Sequence, residues 1–399
     1  MSSLLAGLKI LDFTTLLPGP FATMALADLG ADVVRIESPT RMDLARIMPP
    51  FVDDESEISY FHAYVNRNKK SVTLDLKNKD AFSVIERMLT HYDIIIEQFR
   101  PGVMDRLGLS YKKLSSINPG LIYCSLTGYG QTGPMKDRAG HDINYLSLSG
   151  IMGYSGRKES GPTLMGIQVA DVGSGSNNAI IGILAAYIYR MTTGKGQHID
   201  VSMTDGLFPY HAACASKKLC SGEDVGYETE PLNGGSLYGF YETKDNRYLS
   251  FGGLEPQFFA AFCKVLGLED LIEATVLQPG RLDEARKRVT DIIKAKPLDY
   301  WIERFKGTDA CVEPVLSFSE ALDSDFVKER SLLVDVPGPG GRPITQIAHP
   351  IKFSETSPEY KRAGCELGKD TLDVFQSLGY STHEIETMKS KGVFGKITT

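Results

Sequence analysis

The 399-residue chain lacks most of the features that give a function away at once. Its six cysteines form no Cys-x-x-Cys pair and no metal-ligand spacing. No metal site or disulfide framework is therefore expected, and the thiols read as the reduced thiols of a cytoplasmic protein. No apolar run is longer than that from Ala179 to Tyr189, too short for the roughly 20 residues that cross a bilayer, so no membrane association is expected. The stretch before Leu8 is short and polar, unlike a secretory signal. Basic residues are outnumbered, 43 Lys and Arg against 50 Asp and Glu, for a net charge of −7. That balance argues against a nucleic-acid partner, while a local basic patch could still hold a phosphorylated ligand. No Gly-x-Gly-x-x-Gly follows the first apolar run, which disfavours a nicotinamide-dependent dehydrogenase. Internal repeats and low-complexity blocks are absent too.

What is present is ordinary globular material, 42% hydrophobic and 23% charged, long enough for two or three domains at about 150 residues each. Leu8 to Phe13 is a short apolar run ended by Pro18-Gly19-Pro20, and a helical pattern over Phe21 to Leu29 stops at Gly30. Asp32 to Glu37 is then a second strand. Strand, helix and strand within about thirty residues make a βαβ unit, so a parallel sheet is expected. The pattern recurs through strands at Ser71 to Leu76, Asp93 to Glu97 and Leu121 to Leu126, with helices over Asp80 to Thr90 and Val103 to Leu107 between them. These elements predict a Rossmann-like α/β domain.

Basic residues gather in its loops: Arg35, Arg41, Arg46, the run Asn66-Arg67-Asn68-Lys69-Lys70, and Arg100 before Pro101-Gly102. Open parallel sheets bind ligands at the carboxyl ends of their strands, where such cations can hold phosphates. Taken singly each reads as a solvated surface charge; as a set in an acidic chain they point to a phosphorylated ligand.

The chemistry concentrates between Ala139 and Gly175. The segment opens with Ala139-Gly140-His141-Asp142-Ile143-Asn144-Tyr145 and closes with Val169-Ala170-Asp171-Val172-Gly173-Ser174-Gly175. His141 and Asp171 stand at the mouths of two helical runs and could face each other as acid/base groups. The bland alternative is that both merely cap helices. After Asp171 the helix through Arg190 is apolar over much of its circumference and is expected to be buried. A strand over Gln197 to Met203 and a helical stretch from Gly206 to Gly226 follow. A smaller α/β domain comes next, with a hairpin at Tyr238 to Gly252, helices to Phe305 and a strand at Cys311 to Leu316. The Pro/Gly-rich run Val336-Pro337-Gly338-Pro339-Gly340-Gly341 reads as a linker back to the main body, and two helices close the chain. The expected division is 1–205 for the first part of the large domain, 206–330 for linker and small domain, and 331–399 for the return.

In order along the chain, several segments resemble one family, the class III coenzyme A transferases and α-methylacyl-CoA racemases of CaiB/BaiF type. They are Leu5 to Phe13 with Pro18-Gly19-Pro20, Leu29 to Glu37, Asn66 to Ser71, Phe99-Arg100-Pro101-Gly102, Gly128 to Pro134 and the Gly-His-Asp-Ile-Asn-Tyr run at Gly140 to Tyr145. The resemblance implies an interlocked homodimer, each subunit with a Rossmann-like large domain built from both chain ends and a smaller α/β domain between. It implies an acyl-CoA substrate, with no cofactor beyond the coenzyme A of that substrate and no metal. It places His141, Asp171 and Glu255 at the catalytic site, and Arg35, Asn66, Arg67, Asn68, Lys69, Arg100, Gly140, Asp142 and Tyr145 at the coenzyme.

Two chemistries occur in such proteins. In the racemases, residues matching His141 and Asp171 are two bases that pass the α-proton of a 2-methylacyl thioester through an enolate, whose charge backbone N–H groups at the helix start after Asp171 could hold. In the transferases, the residue matching Asp171 is a nucleophile that relays CoA between carboxylic acids. His141, Gly253 to Phe259 and Asp309 to Leu316 resemble the racemase branch, and the tetraglycine loop of many formyl-CoA-type transferases is missing. The racemase is the first expectation and the transferase the alternative, with a catalytically silent CoA-binding subunit as a third. Glu255 has a plain reading as well, a carboxylate favoured at the start of a helix.

Overall fold

The computed structural model describes residues 3–53, 58–273 and 280–395. The outermost residues of the first and last segments named above, 1–2 and 396–399, lie outside the described residues.

The chain forms β1 (Lys9–Asp12), α1 (Pro18–Asp28), β2 (Asp32–Glu37), α2 (Tyr60–Val65), β3 (Lys70–Thr73), α3 (Ala81–Met88) and β4 (Ile94–Glu97) in turn. Next come α4 (Val103–Arg106), α5 (Tyr111–Ile117), β5 (Ile122–Thr127) and α6 (Asp142–Ser149). A ribbon of β6 (Gly156–Arg157) and β7 (Gly161–Pro162) precedes α7 (Asn177–Thr193) and β8 (His198–Ser202). Strands β1 to β5 and β8 form one six-stranded sheet of order β3-β2-β1-β4-β5-β8, every pairing parallel. This is the doubly wound order in which the chain reverses direction between β1 and β4, and crevices for ligands open beside such a switch point. Ile94-Ile95-Ile96 in β4 and all of β5 are buried on both faces, as crossover helices on each side of a parallel sheet require. The helix α3 buries Ala81, Val84, Ile85 and Met88, the i, i+3, i+4, i+7 stripe that docks a helix on a sheet.

The chain divides into two compact units. The first comprises 1–149, 165–210 and 330–399, and the second 150–164 and 211–329. Segment 150–164, which holds the β6–β7 ribbon and which the sequence reading assigns to the large domain, clusters with the second unit. The second unit holds α8 (Ala212–Ser221), β9 (Gly239–Glu242), β10 (Tyr248–Phe251), α9 (Pro256–Leu266), α10 (Asp270–Glu273), α11 (Arg281–Lys294), α12 (Leu298–Phe305) and β11 (Val312–Pro314). Its antiparallel sheet β11-β10-β9 packs with Phe251, Phe262, Trp301 and Phe305 in one core.

Three expectations change. Pro18-Gly19-Pro20 is the first turn of α1 rather than a turn before it, because proline there gives up only an N–H that a helix start leaves unbonded anyway. The Pro/Gly run 336–341 ends the first strand and enters the turn of a hairpin, β12 (Leu333–Pro337) with β13 (Pro343–Ile347), and is not a linker. Val336 and Ile344 pack there with Ile58, Ala63 and Ala363. The helix α7, expected to be buried, exposes Ile181, Ile188 and Met191 by 62%, 64% and 71%. The chain ends with α15 (Thr371–Ser377) and α16 (Thr382–Ser390), after the short α13 (Phe318–Asp323) and α14 (Asp325–Glu329) of the second unit. Among the described residues, no helix is long and apolar enough to cross a membrane.

Candidate active site

The two segments singled out in the sequence meet in the first unit. The loop before α6 carries His141 at its end, and Asp142 opens the helix. Asn144 holds that corner by accepting the His141 backbone N–H at 3.0 Å and donating its own N–H to the His141 carbonyl at 2.8 Å. Below it, the Tyr145 hydroxyl donates to the Gly140 carbonyl at 2.5 Å, and the Tyr145 and Tyr129 rings meet edge to face. A Cβ on Gly140 would lie 2.6 Å from the Tyr129 hydroxyl and 2.7 Å from Tyr145 Cε1, so only glycine lets the backbone pass this close to the two rings.

Asp171 sits in a π-helical turn, Val169–Ser176, that leads into α7. The wider i→i+5 turn is rare and concentrates at functional sites. One carboxylate oxygen of Asp142, Oδ1, accepts two consecutive backbone N–H groups of this turn, Ala170 at 2.6 Å and Asp171 at 3.0 Å. At the other end, the Ser176 hydroxyl donates to the Pro18 and Asp171 carbonyls. Asp171 is half-buried, and its carboxyl is pushed up to about 6, first by burial and then by the Asp142 charge, against the pull of nearby His141. Of the backbone N–H groups here, those of Ala170 and Asp171 bond to Asp142, and that of Val172, the first after Asp171, bonds to the Gln168 carbonyl. His141 is exposed. Glu255 belongs to the second unit, where it is exposed, immediately precedes α9 and makes no side-chain capping bond.

The basic residues are placed differently from a solvated phosphate surface. Arg67 is buried, forks onto Asp28 at 2.9 and 2.6 Å and donates to the Ile347 carbonyl at 2.7 Å. Asn68 donates to Asp28 and to the Glu359 carbonyl. Lys69, fully enclosed, reaches Asp12 at 3.3 Å and the Asn66 side chain at 3.0 Å, and burial pulls its amine down to about 8. Arg67 and Lys69 neutralise the buried carboxylates of Asp28 and Asp12, and Asn68 adds a neutral donor to Asp28. Arg35 is buried between Asp43 and Glu37, yet its Nε and Nη1 have no hydrogen-bond partner among the described residues. It lines a small pocket with Arg46, His62, Asn66 and Lys69. Arg100 is exposed and lines a cavity of about 260 Å³.

That cavity shows what the sequence reading passed over. Glu97, at the end of β4, is buried, and desolvation raises its carboxyl to about 7. Beside it the Ser125 hydroxyl and His198 Nε2 are 2.9 Å apart. The available signal was a carboxylate closing the all-apolar run Ile94-Ile95-Ile96. The role of Asp142 carried no signal of its own, since it depends on contact with a segment far along the chain.

Comparison with known proteins agrees with the architecture. A family model described as CoA-transferase family III matches residues 5–371. An α-methylacyl-CoA racemase of Mus musculus is 34% identical over 97% of this chain and 96% of its own length. A succinyl-CoA:glutarate CoA-transferase of the same organism is 32% identical over 98% of this chain and 90% of its own. A crystal structure of a CAIB/BAIF family protein from Brucella suis superimposes with a TM-score of 0.82, at 29% identity over 95% of this chain and all of the other.

Proposed function

The chain belongs to CoA-transferase family III, and from that membership we propose that it interconverts the two configurations of 2-methyl-branched acyl-CoA thioesters by two-base proton transfer. The observation that carries this reading is the Asp171 carboxyl held at about 6 next to His141. A carboxyl poised there both takes and gives a proton near neutral pH. In one direction ionised Asp171 removes the α-proton, the electron pair delocalises into the thioester as an enolate, and protonated His141 delivers a proton to the other face. In the reverse direction neutral His141 is the base and protonated Asp171 the acid. Arg100, exposed at the cavity, is the cation we assign to the coenzyme phosphates. The coenzyme enters as part of the substrate, and these steps call on no other cofactor. The reading includes an interlocked homodimer in the cytoplasm, supported by the uncovered apolar face of α7 and by six free cysteines.

CoA transfer is the second reading, favoured by the transferase relative at nearly the same identity. Asp171 would then attack the thioester carbonyl, expelling the CoA thiolate and forming a mixed anhydride. The thiolate would next attack the aspartyl carbonyl and release the acid.

A pair of incubations separates them: a single enantiomer of a 2-methylacyl-CoA in heavy water, first with no acceptor acid and then with one added. Inversion with deuterium at the α-carbon is the expected result, abolished in both Asp171→Ala and His141→Ala. No exchange, with CoA appearing on an added acid, makes Asp171 a nucleophile and sinks the two-base assignment.

A further inference from the structure

We propose that Asp142 is a positioning residue for Asp171, its one carboxylate clamping the π-helical turn so that the Asp171 side chain is presented to His141. This deepens the reading above and rests on Asp171 being the reacting group. Two hydrogen bonds from consecutive N–H groups to a single oxygen, at 2.6 and 3.0 Å, fix the start of the turn in both position and rotation. Bonds to a charged acceptor are about twice as strong as neutral ones. Because Asp142 directly follows His141 and opens α6, the same residue ties both candidate bases to one frame. The first N–H groups of a helical turn have no partner within it, so the Asp142 oxygen satisfies and fixes donors that would otherwise be left open.

The clamp also acts through its charge. The elements packed against the turn are α1, α6, α7 and β8; the titratable groups they carry are His141, Asp142 and Tyr145 from the α6 segment, and Asp28 of α1, which is spent on Arg67. From α7 come Tyr187, Tyr189 and Arg190, the arginine paired with Asp93. From β8 come His198 and Asp200, and the Tyr210 hydroxyl lies toward Gly173. Of all these, Asp142 and His141 act on Asp171, in opposite senses.

Two substitutions divide anchor from charge. Asp142→Asn keeps an oxygen acceptor but removes the charge; Asp142→Ala removes both. Asp142→Ala is expected to lower kcat by about 10²-fold, the penalty for a catalytic group displaced by about 1 Å, with little change in KM. Asp142→Asn is expected to recover part of that kcat and to move the Asp171 limb of the pH–rate profile to lower pH. A ¹³C-carboxyl titration of Asp171, assigned with Asp171→Asn, reads the same downward movement without any turnover. An unmoved Asp171 titration in Asp142→Asn, or wild-type kcat in Asp142→Ala, overturns the inference. If the wild-type protein exchanges no α-proton, the racemase reading falls, and the kcat of Asp142→Ala for CoA transfer through Asp171 still decides the positioning role of Asp142.

Discussion

At the scale of single residues, proton counting sharpens the two readings. In racemisation the pair His141–Asp171 must hold one proton in both directions, on His141 for one and on Asp171 for the other. These are tautomers of one protonation state, so kcat/KM for the two enantiomers must follow the same bell-shaped dependence on pH. One limb is expected near 6 instead of the ordinary aspartate range, because burial and Asp142 raise Asp171. A transferase needs Asp171 only ionised, so its rate would rise through about 6 and then level off. Measuring kcat/KM against pH for both enantiomers checks this; a plateau would count against the two-base chemistry.

At the scale of elements, the approach of the Gly140 loop to Tyr129 and Tyr145 sets where His141 stands. Gly140→Ala is expected to cost about 1–3 kcal/mol of stability through overpacking. It should also reduce kcat more than substrate affinity, measured by denaturant unfolding beside steady-state kinetics. The strands and crossover helices that support this loop were legible in the sequence because each is a local matter: a short apolar run, a turn residue, an amphipathic stripe. The pair His141 and Asp171 was legible as residue types at helix mouths. What joins them was not. The bond from the turn to Asp142 spans 28 residues, and the fork of Arg67 on Asp28 spans 39. No local pattern says which carboxylate a given cation will meet, and Arg67 and Lys69 meet the buried acids Asp28 and Asp12. The hairpin β12–β13 was mistaken for a linker for a related reason. Prolines at 337 and 343 flank its turn, and proline is tolerated at the end of such a two-stranded ribbon, where an unpaired N–H is not missed.

At the scale of the whole molecule, the first unit is assembled from distant parts of the chain. Arg67 joins them, since it forks onto Asp28 and donates to the Ile347 carbonyl. Arg67→Ala leaves the Asp28 carboxylate buried without its cation, and the loss should reach about 3–5 kcal/mol. The midpoint of urea unfolding reads it, and the double variant with Asp28→Ala should recover part of the loss; equal stability of wild type and Arg67→Ala would contradict the ion pair as a structural tie. The same discontinuity bears on biosynthesis. The Ile347 carbonyl lies 280 residues after Arg67. At about 5–20 residues per second on the ribosome, it arrives roughly a quarter of a minute to a minute later. Until then the nascent sheet carries a buried-type arginine and its apolar neighbours without their cover, while the second unit, encoded in between, emerges complete. Chaperone dependence should therefore fall on the first-made half of the chain and end only when the last-made segment docks.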